Sequence, residues 1–145
     1  MKISFITSKS AQAVTSDVVF EYDEEGNPKT GFKIVGPDSV QYRSAQEVQR
    51  IAGLKRRINS GKKAQSNLKT EEGQAELDRL TQENLTQNAT VVVVDWFGFE
   101  DDNGKPAKFD PAQVTLIYEA RQSWRDKVVE ALYQEDAFLP KPATT

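Results

Sequence analysis

The sequence predicts an α+β fold: a small N-terminal antiparallel β element, residues 1–36, followed by about three helices within residues 38–136. Three observations carry this. Val18-Val19-Phe20-Glu21-Tyr22 and Gly31-Phe32-Lys33-Ile34-Val35-Gly36 are short runs rich in β-branched and aromatic residues, on either side of turn chemistry. After Pro37 the apolar spacing changes from every second position to every third or fourth. Asp110-Pro111-Ala112-Gln113 is a clear helix start, with Asp as cap and Pro where its missing N–H costs nothing.

In chain order, Ile3, Phe5 and Thr7 alternate weakly and join the β element. Glu25-Gly26-Asn27-Pro28 supplies the turn of a hairpin, because Gly and Asn tolerate positive φ. A lone hairpin is marginal in water, so it must pack on a third strand or a helix. Ser44 and Glu47 fit a capping box at the start of the first helix, with Asp38 or Ser39 as rival caps. Val48, Ile51, Leu54 and Ile58 then form a narrow apolar stripe with bases around it, and Asn59-Ser60-Gly61 ends the helix. Residues 62–69 read as a loop.

Thr70 or a neighbour caps the second helix, with Glu71 and Glu72 in its first turn and Ala75, Leu77, Leu80 and Leu85 as a thin apolar face to about residue 88. Val91-Val92-Val93-Val94 reads equally as a strand or as a buried helix end. Asp101-Asp102-Asn103-Gly104 is a turn. The last helix is expected as one piece over roughly 110–135, carrying Val114, Ile117, Tyr118, Trp124, Val128, Ala131 and Leu132, with Arg121 interrupting the stripe. Trp124 is assigned to the core. A single domain is expected over residues 1–140, with a flexible tail at 141–145, since 145 residues bury one modest core.

Composition narrows the chemistry. The chain has no cysteine and no histidine, which removes disulfides, thiolate chemistry, Ser-His triads and nearly all zinc sites. No phosphate-binding glycine loop is present, and Asp101 and Asp102 lie in a glycine-containing turn of the kind that stays in solvent, which does not support acid–base catalysis. Calcium fails at the same turn. With Gly104 at the sixth position of a calcium loop, Phe99 falls at the first and Asp110 at the last, and phenylalanine cannot ligate a hard cation. An enzyme is therefore not expected, nor a metal or other cofactor. The N-terminal stretch lacks the apolar core of a secretory signal, and no apolar run is long enough for a membrane span.

Charge is segregated along the chain. Arg43, Arg50, Lys55, Arg56, Arg57, Lys62 and Lys63 face a single acid, Glu47, in one block; Glu71, Glu72, Glu76, Asp78 and Glu83 dominate the next. Such blocks pair within a domain, between copies or with an outside partner, and a solvated helix face is the plainest alternative. Two segments stand out as candidate partner-binding surfaces. One is the basic helix with Arg50, Lys55, Arg56 and Arg57. The other is Trp96, Phe97 and Phe99, which either fill the core or anchor an interface. Nucleic acid is the lesser reading of the basic cluster, because the chain is acidic overall, with net charge −3, and carries no recognised reading motif.

The order of these pieces resembles a known family. Gly-Phe-Lys-Ile-Val-Gly-Pro-Asp-Ser-x-x-Tyr-Arg (residues 31–43) leads into the basic helix. Asp-Trp-Phe-Gly-Phe (95–99), Asp-Asn-Gly-Lys-Pro (102–106), Phe-Asp-Pro (109–111) and an amphipathic helix follow. This layout is similar to the tail assembly chaperones and related small morphogenesis proteins of long-tailed bacteriophages. The resemblance covers about residues 31–132; the four valines before Asp95 are more β-like than the helix the family pattern suggests.

The resemblance implies a non-virion, non-catalytic assembly factor in the host cell cytoplasm that binds the tape-measure protein and recruits tail-tube subunits. Self-association through the complementary charge blocks is a further expectation. The rival functions are a structural tail or head-tail connector protein of the virion and a small nucleic-acid-binding regulator.

Overall fold

The computed structural model describes residues 2–7, 14–60 and 70–139. Alternation makes the hairpin: β1 (Thr15–Tyr22) and β2 (Pro28–Val35) pair antiparallel from Thr15↔Val35 to Tyr22↔Pro28, with irregularities around Glu21. The loop between them is closed by Asp23, whose carboxylate accepts from the backbone N–H of Glu25 at 2.9 Å and of Asn27 at 2.8 Å. The third strand that such a hairpin needs comes from much later in the chain. β3 (Val93–Phe97) pairs antiparallel with β2 through Gly31↔Phe97, Phe32↔Trp96, Lys33↔Asp95 and Ile34↔Val93, giving the order β1-β2-β3.

Among the described residues four helices complete the α+β fold: α2 (Val40–Ser60), α3 (Glu71–Val91), α4 (Pro111–Ala120) and α5 (Gln122–Leu132), besides the five-residue α1 (Ile3–Thr7) and a 3-10 turn at Glu135–Phe138. The run of valines is divided. Val91 ends α3, Val92 caps it with helical angles, and Val93 opens β3, so both readings of the run hold on successive residues. Val92 and Val93 are buried where helix meets sheet, and the Val92 carbonyl accepts from the N–H of Val35 at 2.9 Å.

The core lies between one face of the sheet and helices α3, α4 and α5. Phe32 and Ile34 on the central strand, Val92, Val114 and Val128 are fully buried, with Val18, Phe20, Ala89, Tyr118 and Leu132 around them. Tyr118 donates its hydroxyl to the carbonyl of Ala89 at 2.7 Å, joining α4 to α3. Arg125 is the buried charge of α5. Its guanidinium spans Gln82 at 2.8 Å, Thr86 at 3.3 Å and Asp126 at 2.9 Å, so its donors are met by side chains. That satisfaction is what makes burial of an arginine tolerable.

Four expectations are corrected. Ile3–Thr7 is a short helix instead of a strand: in the described residues the sheet pairs only β1, β2 and β3, and here the Thr7 hydroxyl donates back to the Ile3 carbonyl at 3.0 Å. The β element is not confined to residues 1–36, because β3 interrupts the helical part. Helix α2 starts at Val40, a turn before the Ser44–Glu47 pattern; Ser39, the rival cap, accepts from the N–H of Tyr42 at 3.2 Å and donates to Gly36 at 2.6 Å. Glu47 pairs with Arg50 instead.

The single helix expected over 110–135 is two helices. Arg121, with φ −133° and ψ 75°, breaks the ladder between Ala120 and Gln122. A continuous helix of that length would extend beyond 30 Å, on the order of twice the width of three strands. The bend instead folds α5 back over β1, with Trp124 stacked on Phe20, and leaves the Arg121 guanidinium 5.7 Å from the Trp124 ring. The loop expected at 62–69 and the tail at 141–145 lie outside the described residues.

Candidate protein-binding surface

Helix α2 packs on the rest of the molecule by its less apolar side. Ala45 is buried, and Tyr42, Gln49, Ala52 and Gly53 are half-buried on that side. The contact with α3 is polar at its centre: the Gln49 amide donates to Asn88 at 2.9 Å and to Gln87 at 3.0 Å. Toward the far end the hydrogen bond from Arg79 holds the Glu76 carboxyl on α3 below its ordinary pKa, and the charge of Arg56 adds a smaller push in the same direction.

The apolar stripe faces the other way. Val48 is 58% exposed, Ile51 41%, Leu54 43% and Ile58 79%, and Val40 extends the line at 67%. An amphipathic helix ordinarily turns such a stripe to the core. Here Tyr42 packs against the core, Ala45 is buried and Gln49 bonds to α3, while the aliphatic row is left exposed. Ile51, Leu54 and Ile58 follow the three-then-four spacing of a coiled-coil seam, a stripe narrower than a core-facing one.

The basic residues flank this seam. Arg50 is held by Glu47, whose carboxyl the Arg50 guanidinium keeps below its ordinary range; Arg43 reaches Asp38 at 3.3 Å. Among the described residues Lys55, Arg56 and Arg57 make no ion pair, and all three are exposed. Arg57 lies in the last turn of α2, where a cation suits the helix dipole. Arg43, Arg50 and Arg57 recur at intervals of seven residues, a spacing visible in the sequence that places them on one flank.

The aromatic segment is arranged differently. Trp96 and Phe99 are half-buried and pack against the core: the Trp96 indole N–H donates to the Ala107 carbonyl at 2.9 Å, and its ring lies 5.0 Å from Phe99 and 5.3 Å from Phe109. Phe99 stacks on Phe32 at 5.5 Å and meets Trp124 edge-on at 6.4 Å. Phe97, next along the strand and therefore on the opposite face, covers Gly31, where a Cβ would come within 2.6 Å of its ring. No hydrogen bond or ring contact joins this segment to Arg50, Lys55, Arg56 or Arg57 among the described residues. The two candidate surfaces are separate, and of the two only that on α2 presents an exposed aliphatic row, Ile51, Leu54 and Ile58.

An open groove of about 670 Å³ runs between α3 and α4, lined by Arg79, Thr86, Thr90, Thr115 and Glu119. Two of its hydroxyls are engaged by the α3 backbone: Thr86 donates to the Gln82 carbonyl at 3.0 Å and Thr90 to the Thr86 carbonyl at 2.7 Å. Among the described residues no group of three or more Asp or Glu side chains is placed to hold a metal ion, and no helix is long and apolar enough to cross a membrane.

Comparison with protein-family models, with curated proteins and with solved structures returns no match. The functional reading therefore stands on the exposed seam, its charges and the sequence layout.

Proposed function

We propose that this chain is a phage tail assembly chaperone, a non-catalytic factor of the host cell cytoplasm that binds the tape-measure protein and helps gather tail-tube subunits around it. The observation that carries the reading is the exposed seam of Ile51, Leu54 and Ile58 on α2, on a helix whose other side is already packed. Monomeric proteins seldom leave an aliphatic row in water without use, and a long helical client is held by many weak contacts of this kind. The sequence layout supports the same role, and Trp96 and Phe99 then serve the scaffold instead of the client.

Coexpression with a cognate tape-measure chain tests the role. The tape measure is expected in the soluble fraction with this protein and in the insoluble fraction without it; equal insolubility in both ends the reading. Mass spectrometry of purified particles decides against the structural rival, since a chaperone is expected to be absent from the finished virion.

A further inference from the structure

The heptad register of α2 defines the charge of what it binds. With Ile51 at a, Leu54 at d and Ile58 at the next a, Val40 and Glu47 are earlier d positions and Ser44 an earlier a. Arg43, Arg50 and Arg57 then hold the g positions, and Gln41, Val48 and Lys55 hold e. Every charged residue at e or g is a base. In a coiled coil these positions face each other across the seam and select partner and orientation.

A second copy of α2 fits poorly in either direction. Antiparallel packing sets g against g, arginine against arginine; parallel packing sets g against e, with Arg facing Lys55 or Val48. An anionic lipid surface also fits poorly. Interfacial helices present a broad apolar face, often with aromatic residues, whereas this seam is aliphatic, widened beyond a and d only by Val48, and interrupted by Glu47.

We propose that α2 seats a single amphipathic helix of another polypeptide whose apolar a and d residues are flanked by Glu or Asp at e and g. The inference rests on the reading of this seam as the client-binding surface and adds the charge pattern of the client. Lys55 and Arg57, which have no ion pair among the described residues, are the principal selectors; Arg43 and Arg50 are already partly engaged by Asp38 and Glu47.

The test uses the full chain and two labelled synthetic helices with identical Leu and Ile seams, one with Glu and one with Lys at every e and g position. The Glu helix is expected to bind roughly tenfold tighter at low ionic strength, with the difference shrinking in high salt. The double variant K55E/R57E, checked for retained helicity by circular dichroism, is expected to reverse the order, and Leu54→Ser to weaken both. Equal affinities, a preference for the Lys helix, binding to phosphatidylserine vesicles but to neither helix, or a homodimer that Leu54→Ser dissolves would each overturn the proposal. If the tape measure is solubilised while the two helices bind alike, the chaperone reading survives and this inference falls; discrimination without solubilisation has the opposite meaning.

Discussion

Phe20 on β1 and Trp124 on α5 lie face to face, with ring centroids 4.3 Å apart and planes 2° from parallel. This stack fastens the bent C-terminal helix to the edge of the sheet. Phe20 also meets Phe32 edge-on at 4.9 Å, so one side chain links edge strand, central strand and helix.

Phe20→Ala is expected to cost about 3–5 kcal/mol, in the range for large aromatic truncations in a core. The pairing with Trp124 contributes roughly 0.5–1.5 kcal/mol of that beyond buried area. Urea unfolding followed by tryptophan fluorescence measures it, and Phe20→Leu, which keeps more of the apolar volume than alanine but loses the stack, is expected to cost less. A loss for Phe20→Ala no larger than for a surface substitution would show that α5 is not held by this contact.

Much of this arrangement is legible in the residues, and the exceptions have physical causes. The hairpin follows from alternation, and Thr70 and Asp110 cap α3 and α4 because a side-chain oxygen precedes the first turn in each. The break at Arg121 was marked only by a charge interrupting an apolar stripe, which a straight helix with a snorkelling arginine would show equally. Pairing of β3 with β2 depends on residues some sixty positions apart, beyond any local pattern. The direction of α2 is the main illegible fact about the site: spacing reveals that Ile51, Leu54 and Ile58 share a face, and only packing reveals that this face is outside.

Tyr118 imposes an alkaline limit on stability. Burial raises its pKa well above the ordinary 10.0, and its hydroxyl is a hydrogen-bond donor to Ala89. In the unfolded chain the phenol ionises near pH 10 while in the folded chain it stays protonated, so the unfolded state loses the proton first. The contribution is complete below pH 10 and falls as pH rises above it. Tyr42, raised chiefly by burial and secondarily by Tyr133, acts in the same direction. Tyr118→Phe is expected to lose about 1 kcal/mol at neutral pH and to flatten the alkaline decline. Denaturant midpoints from pH 7 to 11 check this; an unchanged alkaline slope in the variant would remove Tyr118 as its source.

Gly98 and Gly104 separate backbone strain from crowding. Both have positive φ, 78° and 77°, where a side chain is strained. At Gly104 an added Cβ meets nothing within 4 Å, whereas at Gly98 it would lie 1.9 Å from the Lys29 carbonyl oxygen at the start of β2. Gly104→Ala is therefore expected to cost about 1–2 kcal/mol from conformation alone. Gly98→Ala must also displace strand backbone, and is expected to cost clearly more. Thermal unfolding of the two variants side by side gives the comparison, and equal melting temperatures would contradict it.

The seam on α2 makes the opposite stability prediction from the core. Ile51→Ser or Leu54→Ser in a buried stripe would cost several kcal/mol. On the outside of α2 each is expected to change stability by no more than about 0.5 kcal/mol, apart from a small helix-propensity term. The same substitutions are expected to abolish solubilisation of the tape-measure chain, because they remove apolar area that only a partner covers. Circular dichroism melts and coexpression of the same variants supply the two halves of the measurement. A seam that proved essential for folding would place its packing inside the chain and withdraw it as a docking surface; one dispensable for both folding and solubilisation would leave the aliphatic row without a function.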